Sequence, residues 1–136
     1  MLVRQHHAFD PDRFMLVEPI EEGYRWFLGT QLGRPEGLLL VAELDGAIAG
    51  YLYGAVEERD WERLLDRHGA IHDIYVAESF RGRGLGKALL EEAFRRLAPL
   101  VPRIVLSSAT ANVGAQRLFA SVGFRATMVE MTRTSG

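Results

Sequence analysis

The sequence lacks cysteine altogether over its 136 residues. This absence excludes disulfide bonds, thiolate metal ligands and a cysteine nucleophile, and it fits a reducing compartment. Long hydrophobic runs are missing too, since no stretch reaches the about 18 apolar residues that a membrane-spanning helix needs. Residues 1–7 also lack the apolar run of a secretory signal. We therefore expect a cytoplasmic protein with no membrane partner.

Neither sign of charge dominates the sequence. The 16 basic and 18 acidic residues leave a net charge of −2 with neutral histidines. A broad basic surface is the usual footprint of a nucleic-acid-binding protein, so we expect no nucleic-acid partner. Apolar residues make up 48% of the sequence, which is ordinary for a globular protein, and the length is typical of one domain. We predict a single domain over residues 1–136.

The spacing of apolar residues predicts a mixture of helices and strands, and hence an α/β (α+β) domain. Asp45-Gly46 between two apolar runs is a hairpin signal, because a tight primed turn requires positive φ. Residues 57–67 are charged and fit either a surface helix or a crossing loop. The predicted order is a helix over 13–32, strands over 38–44, 47–56 and 70–77, a helix over 84–98, a strand over 103–107, a helix over 112–122 and a strand over 124–133.

Three of these elements carry further expectations. In helix 84–98, apolar residues recur at intervals of four, and Phe94 widens the apolar face. The strand over 103–107 is apolar throughout its centre, which predicts burial on both faces. Asn112 can cap the last helix, and Gly123 is placed to end it in the left-handed conformation.

A basic, glycine-rich loop lies between a predicted strand and the longest predicted helix. It reads Arg81-Gly82-Arg83-Gly84-Leu85-Gly86-Lys87. Its alternating glycines let the backbone approach a ligand closely, and the helix that follows presents unpaired N–H groups and the positive end of its dipole. Flanking basic side chains strengthen such a site, so we predict that the loop binds an anion, most simply a phosphate.

Two common phosphate-binding patterns do not fit this loop. A P-loop would require glycine where Arg81 stands, and Ala88 replaces the hydroxyl residue that binds magnesium. The dinucleotide pattern would require a third glycine where Lys87 stands. What remains is Arg-x-x-Gly-x-Gly over residues 81–86.

This remaining pattern resembles the coenzyme A pyrophosphate motif of the GNAT superfamily of N-acetyltransferases. A second motif follows about thirty residues downstream, and the likeness extends from about Leu38 to Phe124. The resemblance implies a single GNAT-like domain with a mixed, mostly antiparallel central sheet, whose fourth and fifth strands splay apart between flanking helices. The second motif reads Asn112-x-x-Ala115-x-x-Leu118-Phe119-x-x-x-Gly123-Phe124.

The resemblance further implies acetyl-CoA as cosubstrate. The pyrophosphate would lie on the loop, and the pantetheine arm would run past main-chain groups at the end of the preceding strand, with the second motif on its other side. The cofactor-binding residues implied in this way are Tyr75, Val76, Arg81, Gly82, Arg83, Gly84, Leu85, Gly86, Lys87, Asn112 and Phe119.

The sequence indicates the base and the acid of the reaction less clearly than the cofactor site. His72 is the candidate base, because histidine ordinarily titrates near neutral pH, although relatives often have glutamate at this strand position and a structural role is the alternative. Strand alternation predicts Asp73 on the opposite face. Phe119 replaces the family's usual tyrosine and cannot donate a proton. The acid is therefore left open between Tyr51, Tyr53, water, and departure of a thiolate into the positive field of the loop.

Two other features are ambiguous. His68 and His72 are four residues apart but not on a predicted helix, and without a third ligand we expect no metal site. The acidic residues Glu57, Glu58 and Asp60 either steer a cationic amine or form a solvated surface. No good strand precedes residue 10, where such domains usually begin with one, so the N-terminal part is either abbreviated or completed from elsewhere.

We therefore predict an acetyl-CoA-dependent N-acetyltransferase that moves an acetyl group to a primary amine by direct transfer in a ternary complex. The alternative is a catalytically weak or inactive acyl-CoA-binding regulatory module. RNA binding through the Arg-Gly loop is disfavoured by the acidic balance. The acceptor, a small molecule or a peptide or protein amine, is open. A homodimer is open as well, since similar proteins commonly dimerise.

Overall fold

A four-stranded mixed sheet with two helices forms the part of the protein that the computed structural model describes, residues 37–136. The predicted helix over 13–32 and the question of a first strand lie outside these residues. The strands are in the order β1-β2-β3-β4. The elements are β1 (Gly37–Leu44), β2 (Ala47–Glu57), β3 (His68–Val76), a 3₁₀ turn (Glu78–Phe80), α1 (Leu85–Leu97), β4 (Ile104–Leu106) and α2 (Val113–Ser121).

The hairpin of β1 and β2 forms as predicted. Asp45 and Gly46 have φ of 54° and 78°, the two positive values that a type I′ turn requires, and Leu44 pairs with Ala47 across the turn. The predicted start and end of the two strands agree with the structure to within one residue.

The strands β3 and β4 diverge as the resemblance implies. β2 and β3 pair antiparallel along their lengths, whereas β3 and β4 pair in parallel only from Gly69 to Ile71, opposite Ile104 to Leu106. From His72 to Val76, β3 has no partner in β4. The C-terminal half of β3 therefore presents backbone groups on its β4 side, next to the glycine loop.

The main core lies between the sheet and α1. Leu89, Leu90 and Ala93 of α1 are buried against Leu52 of β2 and Ile71 of β3. Leu52 and Leu90 are fully buried, and full burial of such a side chain contributes about 1.5–3 kcal/mol. The α1 helix thereby fixes the position of the loop that precedes it.

The apolar face of α1 is narrower than predicted. Phe94 is 56% exposed and does not belong to the core, because α1 rests on the sheet through its neighbours Leu90, Ala93 and Leu97. The expectation that Phe94 widens the buried face was wrong.

The last helix has the predicted ends. The Asn112 side chain accepts a hydrogen bond of 3.1 Å from the Ala115 N–H, which is an N-cap contact. Gly123 follows the helix with φ of 99°. Phe119 faces the core, and Leu118 and Val122 pack against it.

Two predicted strand properties were wrong. Residues 124–133 are in the described part of the chain but form no strand there, and Met128, Val129 and Met131 are 86%, 77% and 90% exposed. Strand propensity alone does not hold an extended segment without a pairing partner. β4 is only half-buried instead of buried on both faces, because it pairs over three residues with β3 alone.

Of the charged residues 57–67, Glu57 ends β2 and residues 58–67 form a crossing loop and not a helix. The Asp60 side chain accepts the N–H groups of Glu62 and Arg63 at 3.0 and 3.1 Å, and Leu64 has φ of 54°. Both features belong to turns and interrupt a helical path. Of the helices formed by residues 37–136, neither is both long and apolar enough to cross a membrane.

Candidate functional site

The glycine loop owes two of its glycines to backbone conformation. Gly82 and Gly84 have φ of 80° and 78°, values that other residues rarely adopt. A β-carbon built on either would have no atom of residues 37–136 within 4 Å. The backbone of the loop is therefore open on the side where these side chains would stand, as a ligand site requires.

The third glycine, Gly86, is explained by packing between helices. A β-carbon on Gly86 would lie 2.9 Å from Leu118 Cδ2 of α2. Gly86 thus allows α1 and α2 to approach each other. A close approach to a ligand stays a prediction for Gly82 and Gly84, whereas the close approach at Gly86 is to Leu118.

The start of α1 has the properties of an anion site. Its N-cap is Gly84, which has no side chain to accept the first helical N–H groups, and the first turn contains no acidic residue. The first backbone bond of the helix runs from the Ala88 N–H to the Gly84 carbonyl at 3.0 Å. The N–H groups of residues 85–87 therefore precede the helical ladder and point toward the loop, where the helix dipole favours negative charge.

The basic side chains of the loop are exposed to solvent, and they also contact other residues of the protein. Arg81 Nε donates to the Val76 carbonyl at 2.9 Å, and its guanidinium carbon lies 5.8 Å from the centre of the Tyr75 ring. Arg81 thereby ties the loop to the end of β3. Arg83 Nη1 is 3.9 Å from Asp45 Oδ2 in the β1–β2 turn, and Lys87 Nζ is 3.9 Å from Glu91 Oε1. These long, exposed pairs leave both cations able to turn toward a bound anion.

The second motif lies on α2. Asn112 is half-buried and uses its side-chain oxygen as the cap already described. Phe119 is buried, with its ring 6.3 Å from that of Phe124 in an edge-to-face arrangement. Phe119 is therefore a core residue at this position, and contact of Asn112 and Phe119 with a cofactor stays a prediction.

A β-bulge in β3 reorganises the residues near the predicted base. Tyr53 of β2 pairs with Asp73 and the next residue, Gly54, pairs with Ile71, so His72 is an extra residue in β3. Consequently His72 and Asp73 both lie on the face away from α1. The prediction from simple alternation, that Asp73 points to the opposite face, was wrong.

Contacts from β2 identify this shared face. The rings of Tyr53 and His72 stack with centres 5.4 Å apart, and the Tyr51 hydroxyl donates to Asp73 Oδ2 at 2.9 Å. Tyr51 and Tyr53 therefore share one face, as predicted. The Tyr51 hydroxyl hydrogen is directed at Asp73, which weakens its candidacy as the acid of the reaction.

The signal that could have revealed the bulge is Gly54. A β-carbon at this position would lie 2.7 Å from the Ala70 carbonyl oxygen. A glycine inside a strand often marks a bulge or a close backbone approach, and Gly54 is both close to its partner strand and next to the change of register.

His72 has a carboxylate partner that the sequence did not indicate. Glu57 Oε1 lies 2.8 Å from His72 Nε2, with side chains 27% and 42% exposed. Glu57 is the last residue of β2, fifteen positions from His72. No local pattern joins the two, since only the pairing of β2 with β3 brings them together.

A cavity of about 650 Å³ opens beside this pair. It is bounded by Glu57, His68, Ala70 and His72 and by the crossing loop, including Trp61, which is exposed. Glu58 and Asp60 also line it, but Glu58 pairs with Arg67 at 3.3 Å and Asp60 accepts loop N–H groups. Within residues 37–136, no three His, Asp or Glu side chains are grouped as a metal site would require.

Comparisons with known protein families and sequences agree with one another. A family model described as the acetyltransferase (GNAT) family matches residues 3–124. An uncharacterized N-acetyltransferase of Archaeoglobus fulgidus is 28% identical over 126 residues, covering 90% of this chain and 81% of the relative.

Solved structures show the same fold. A tetramutant of the BH1408 protein from Bacillus halodurans has a TM-score of 0.82 at 22% identity, covering 98% of this chain and 86% of that one. The aminoglycoside N-acetyltransferase AAC(6')-Iy, solved in complex with CoA, has a TM-score of 0.69 at 21% identity, covering 85% of this chain and 90% of that one.

Proposed function

Because this chain belongs to the acetyltransferase (GNAT) family and is therefore an acyltransferase, we propose that it moves the acetyl group of acetyl-CoA to a primary amine by direct transfer in a ternary complex. The observation that carries the proposal is the loop of residues 81–87, whose open glycine backbone leads into an uncapped helix N-terminus. The loop lies at the end of β3, where β3 and β4 diverge.

The residues present fit acetyl-CoA. The open positions at Gly82 and Gly84, together with the N–H groups that begin α1, would hold the pyrophosphate. Arg83 and Lys87 would add charge-assisted bonds. The β4 side of β3 near Tyr75 would lie along the pantetheine arm. When bound, acetyl-CoA supplies a thioester carbonyl as the electrophile. A CoA complex of a protein with the same fold supports this assignment.

The transfer step needs an uncharged amine. Deprotonating a lysine-like amine at pH 7 costs roughly 4.6 kcal/mol and an α-amine only about 1.4 kcal/mol. We assign this proton removal to His72, which is partly exposed at the cavity and held between Tyr53 and Glu57. The uncharged amine nitrogen forms a bond to the acetyl carbon and the carbon–sulfur bond breaks. The second proton of the nitrogen and the proton held by His72 pass to the thiolate and to water, which gives the N-acetyl amine and the CoA thiol.

The acceptor is a small-molecule amine or a peptide or protein amine that enters through the cavity beside His72. Cytoplasmic location and a homodimer remain predictions, which fractionation of cells and light scattering coupled to size-exclusion chromatography would measure.

Binding of the donor is tested by thermal unfolding with acetyl-CoA. A ligand at about 100 times its Kd stabilises a protein by about 2.7 kcal/mol, which raises Tm by several degrees. We expect this shift with wild type and its loss in Gly84→Val. Gly123→Val is the matched control, since Gly123 also has positive φ and open space but lies at the far end of α2.

Transfer itself is tested by release of the CoA thiol with a panel of primary amines, followed by mass spectrometry of the product. A mass increase of one acetyl group on the amine is the expected result. A wild-type protein that shows no thermal shift with acetyl-CoA would overturn the assignment of the loop. A shift without transfer to any amine would favour an acyl-CoA-binding module instead.

A further inference from the structure

The contact of Glu57 with His72 determines where the protons of the imidazole lie. A carboxylate can only accept a hydrogen bond, so the 2.8 Å contact requires that His72 Nε2 carries the hydrogen. In the neutral ring the lone pair is then on Nδ1. The bond between the end of β2 and the bulge of β3 thus selects one tautomer and leaves Nδ1 as the basic atom of the neutral ring.

Tyr53 adds a second constraint on the same ring. Its ring is buried and lies 27° from parallel to the imidazole, with centres 5.4 Å apart. Stacking on Tyr53 limits the tilt of the imidazole plane. The hydrogen bond to Glu57 limits rotation of the imidazole within that plane. The two contacts come from one strand, so they move together with β2.

Other acidic groups near His72 form ion pairs with arginines. Asp66 pairs with Arg59 at 3.3 Å, and Glu58 pairs with Arg67 at the same distance. The other histidine of the cavity wall, His68, is 2% exposed, and its Nδ1 is 2.7 Å from the Asp66 carbonyl oxygen. His72 is thus the accessible imidazole of the cavity, and Glu57 is the carboxylate that holds it.

We propose that Glu57 is a positioning residue that fixes His72 in the Nε2–H tautomer, so that Nδ1 of His72 takes the proton of the incoming amine. This inference rests on the proposed function for the identity of the proton donor. One N–H bond of the protonated amine breaks and its proton goes to Nδ1. The nitrogen then attacks the acetyl carbon, the carbon–sulfur bond breaks, and the nitrogen gives up its second proton to the thiolate or to water. The Nε2–H bond to Glu57 then becomes charge-assisted and stabilises the imidazolium. Transfer of the Nδ1 proton to the thiolate or to water restores the starting state.

The tautomer is measured directly by long-range ¹H–¹⁵N NMR on the full chain at a pH where the ring is neutral. The expected wild-type pattern has the hydrogen on Nε2 and an unprotonated Nδ1. Glu57→Gln keeps an oxygen acceptor but adds an N–H donor, so it should keep a weaker preference for this tautomer, whereas Glu57→Ala should give a mixture. A wild-type ring with the hydrogen on Nδ1 would overturn the inference, as would an unchanged tautomer in Glu57→Ala.

Kinetics with the best amine of the panel test the consequence. His72→Ala should lower kcat by about 10²- to 10⁴-fold, the usual contribution of a general base. Glu57→Ala should cause a smaller loss, on the order of ten-fold, that Glu57→Gln partly restores. Glu43→Ala, an exposed carboxylate of β1, is the control and should retain wild-type kcat. The thermal shift with acetyl-CoA should persist in all of these variants, which shows that they fold.

The two possible failures are distinguishable. A wild-type protein that transfers acetyl to no amine overturns the proposed function and with it the base role of Nδ1, whatever the tautomer. An active wild type in which Glu57→Ala has unchanged kcat overturns the positioning role and leaves the proposed function intact.

Discussion

The Tyr51 hydroxyl donates a hydrogen bond of 2.9 Å to the Asp73 carboxyl, across β2 and β3 and directly beside the bulge. Asp73 is buried, and its position in β3 follows that of His72. The bond therefore holds the bulged part of β3 against β2 on the face where Tyr53 stacks on His72. The Tyr51–Asp73 bond therefore contributes both to stability and to the position of His72, the proposed base.

Replacing Tyr51 by phenylalanine removes this bond and keeps the aromatic ring. Removing one partner of a buried hydrogen bond costs about 1–3 kcal/mol, so we expect a loss of that size in the free energy of unfolding from urea titration. Tyr75→Phe is the matched control, because Tyr75 lies next to Tyr51, with ring centres 6.1 Å apart. Its hydroxyl makes no hydrogen bond within residues 37–136. Equal losses in the two variants would contradict this role of the Tyr51–Asp73 bond.

The packing of Gly86 against Leu118 predicts a size compensation between the two helices. A β-carbon on Gly86 would already lie 2.9 Å from Leu118 Cδ2, so Gly86→Val overfills the contact. Overpacking of this kind costs about 1–3 kcal/mol. In the Leu118→Ala background the same substitution should cost clearly less, and a double-mutant cycle on unfolding free energies measures the difference. Additive losses would show that the two residues do not share this space.

The local features of the fold could be predicted from sequence because their causes are local. The Asp45-Gly46 turn needs two positive φ values, and the Asn112 cap reaches an N–H three residues away. The loop before α1 likewise depends on glycines within a few positions of the helix start. Each of these signals lies within one short stretch of chain.

The features that could not be predicted depend on pairing between distant strands. The bulge at His72 changes the face of Asp73, and the His72–Glu57 contact joins residues fifteen apart in sequence. The segment over 124–133 has strand-like composition, but a strand also needs a neighbour to pair with. Simple alternation therefore misplaced Asp73, and propensity misplaced the last strand.

Glu92 predicts a pH dependence of stability at low pH. Hydrogen bonds from Arg95 and Arg96 lower its pKa from 4.5 to about 2. Because the folded pKa is below the unfolded one, the stabilisation is present above pH 4.5 and is lost as the pH falls toward about 2. The side chain is exposed, so the effect is small and should weaken in high salt.

Thermal unfolding of Glu92→Gln across pH 2–7 tests this prediction. The Tm difference between wild type and variant should favour wild type at pH 7 and shrink between about pH 4.5 and 2. Glu91→Gln, in the same helix and 3.9 Å from Lys87, is the control. A difference that stays constant down to pH 2 would mean that the two arginines do not stabilise the ionised form of Glu92.

Gly54 connects the close packing of β2 against β3 with the position of His72. Gly54→Ala would place a β-carbon 2.7 Å from the Ala70 carbonyl oxygen, a backbone atom that can move only if β2 and β3 separate. We expect a destabilisation of about 1–3 kcal/mol from this crowding. We also expect a fall in kcat, because the register change that carries His72 lies at this position. Gly114→Ala is the matched control, since no atom in the described part of the chain lies within 4 Å of its added β-carbon in α2. That variant should be stabilised by about 0.5–1 kcal/mol, the usual gain of alanine over glycine in a helix, with kcat unchanged. If Gly54→Ala loses stability but keeps full kcat under conditions where it is folded, the bulge does not position His72 for catalysis.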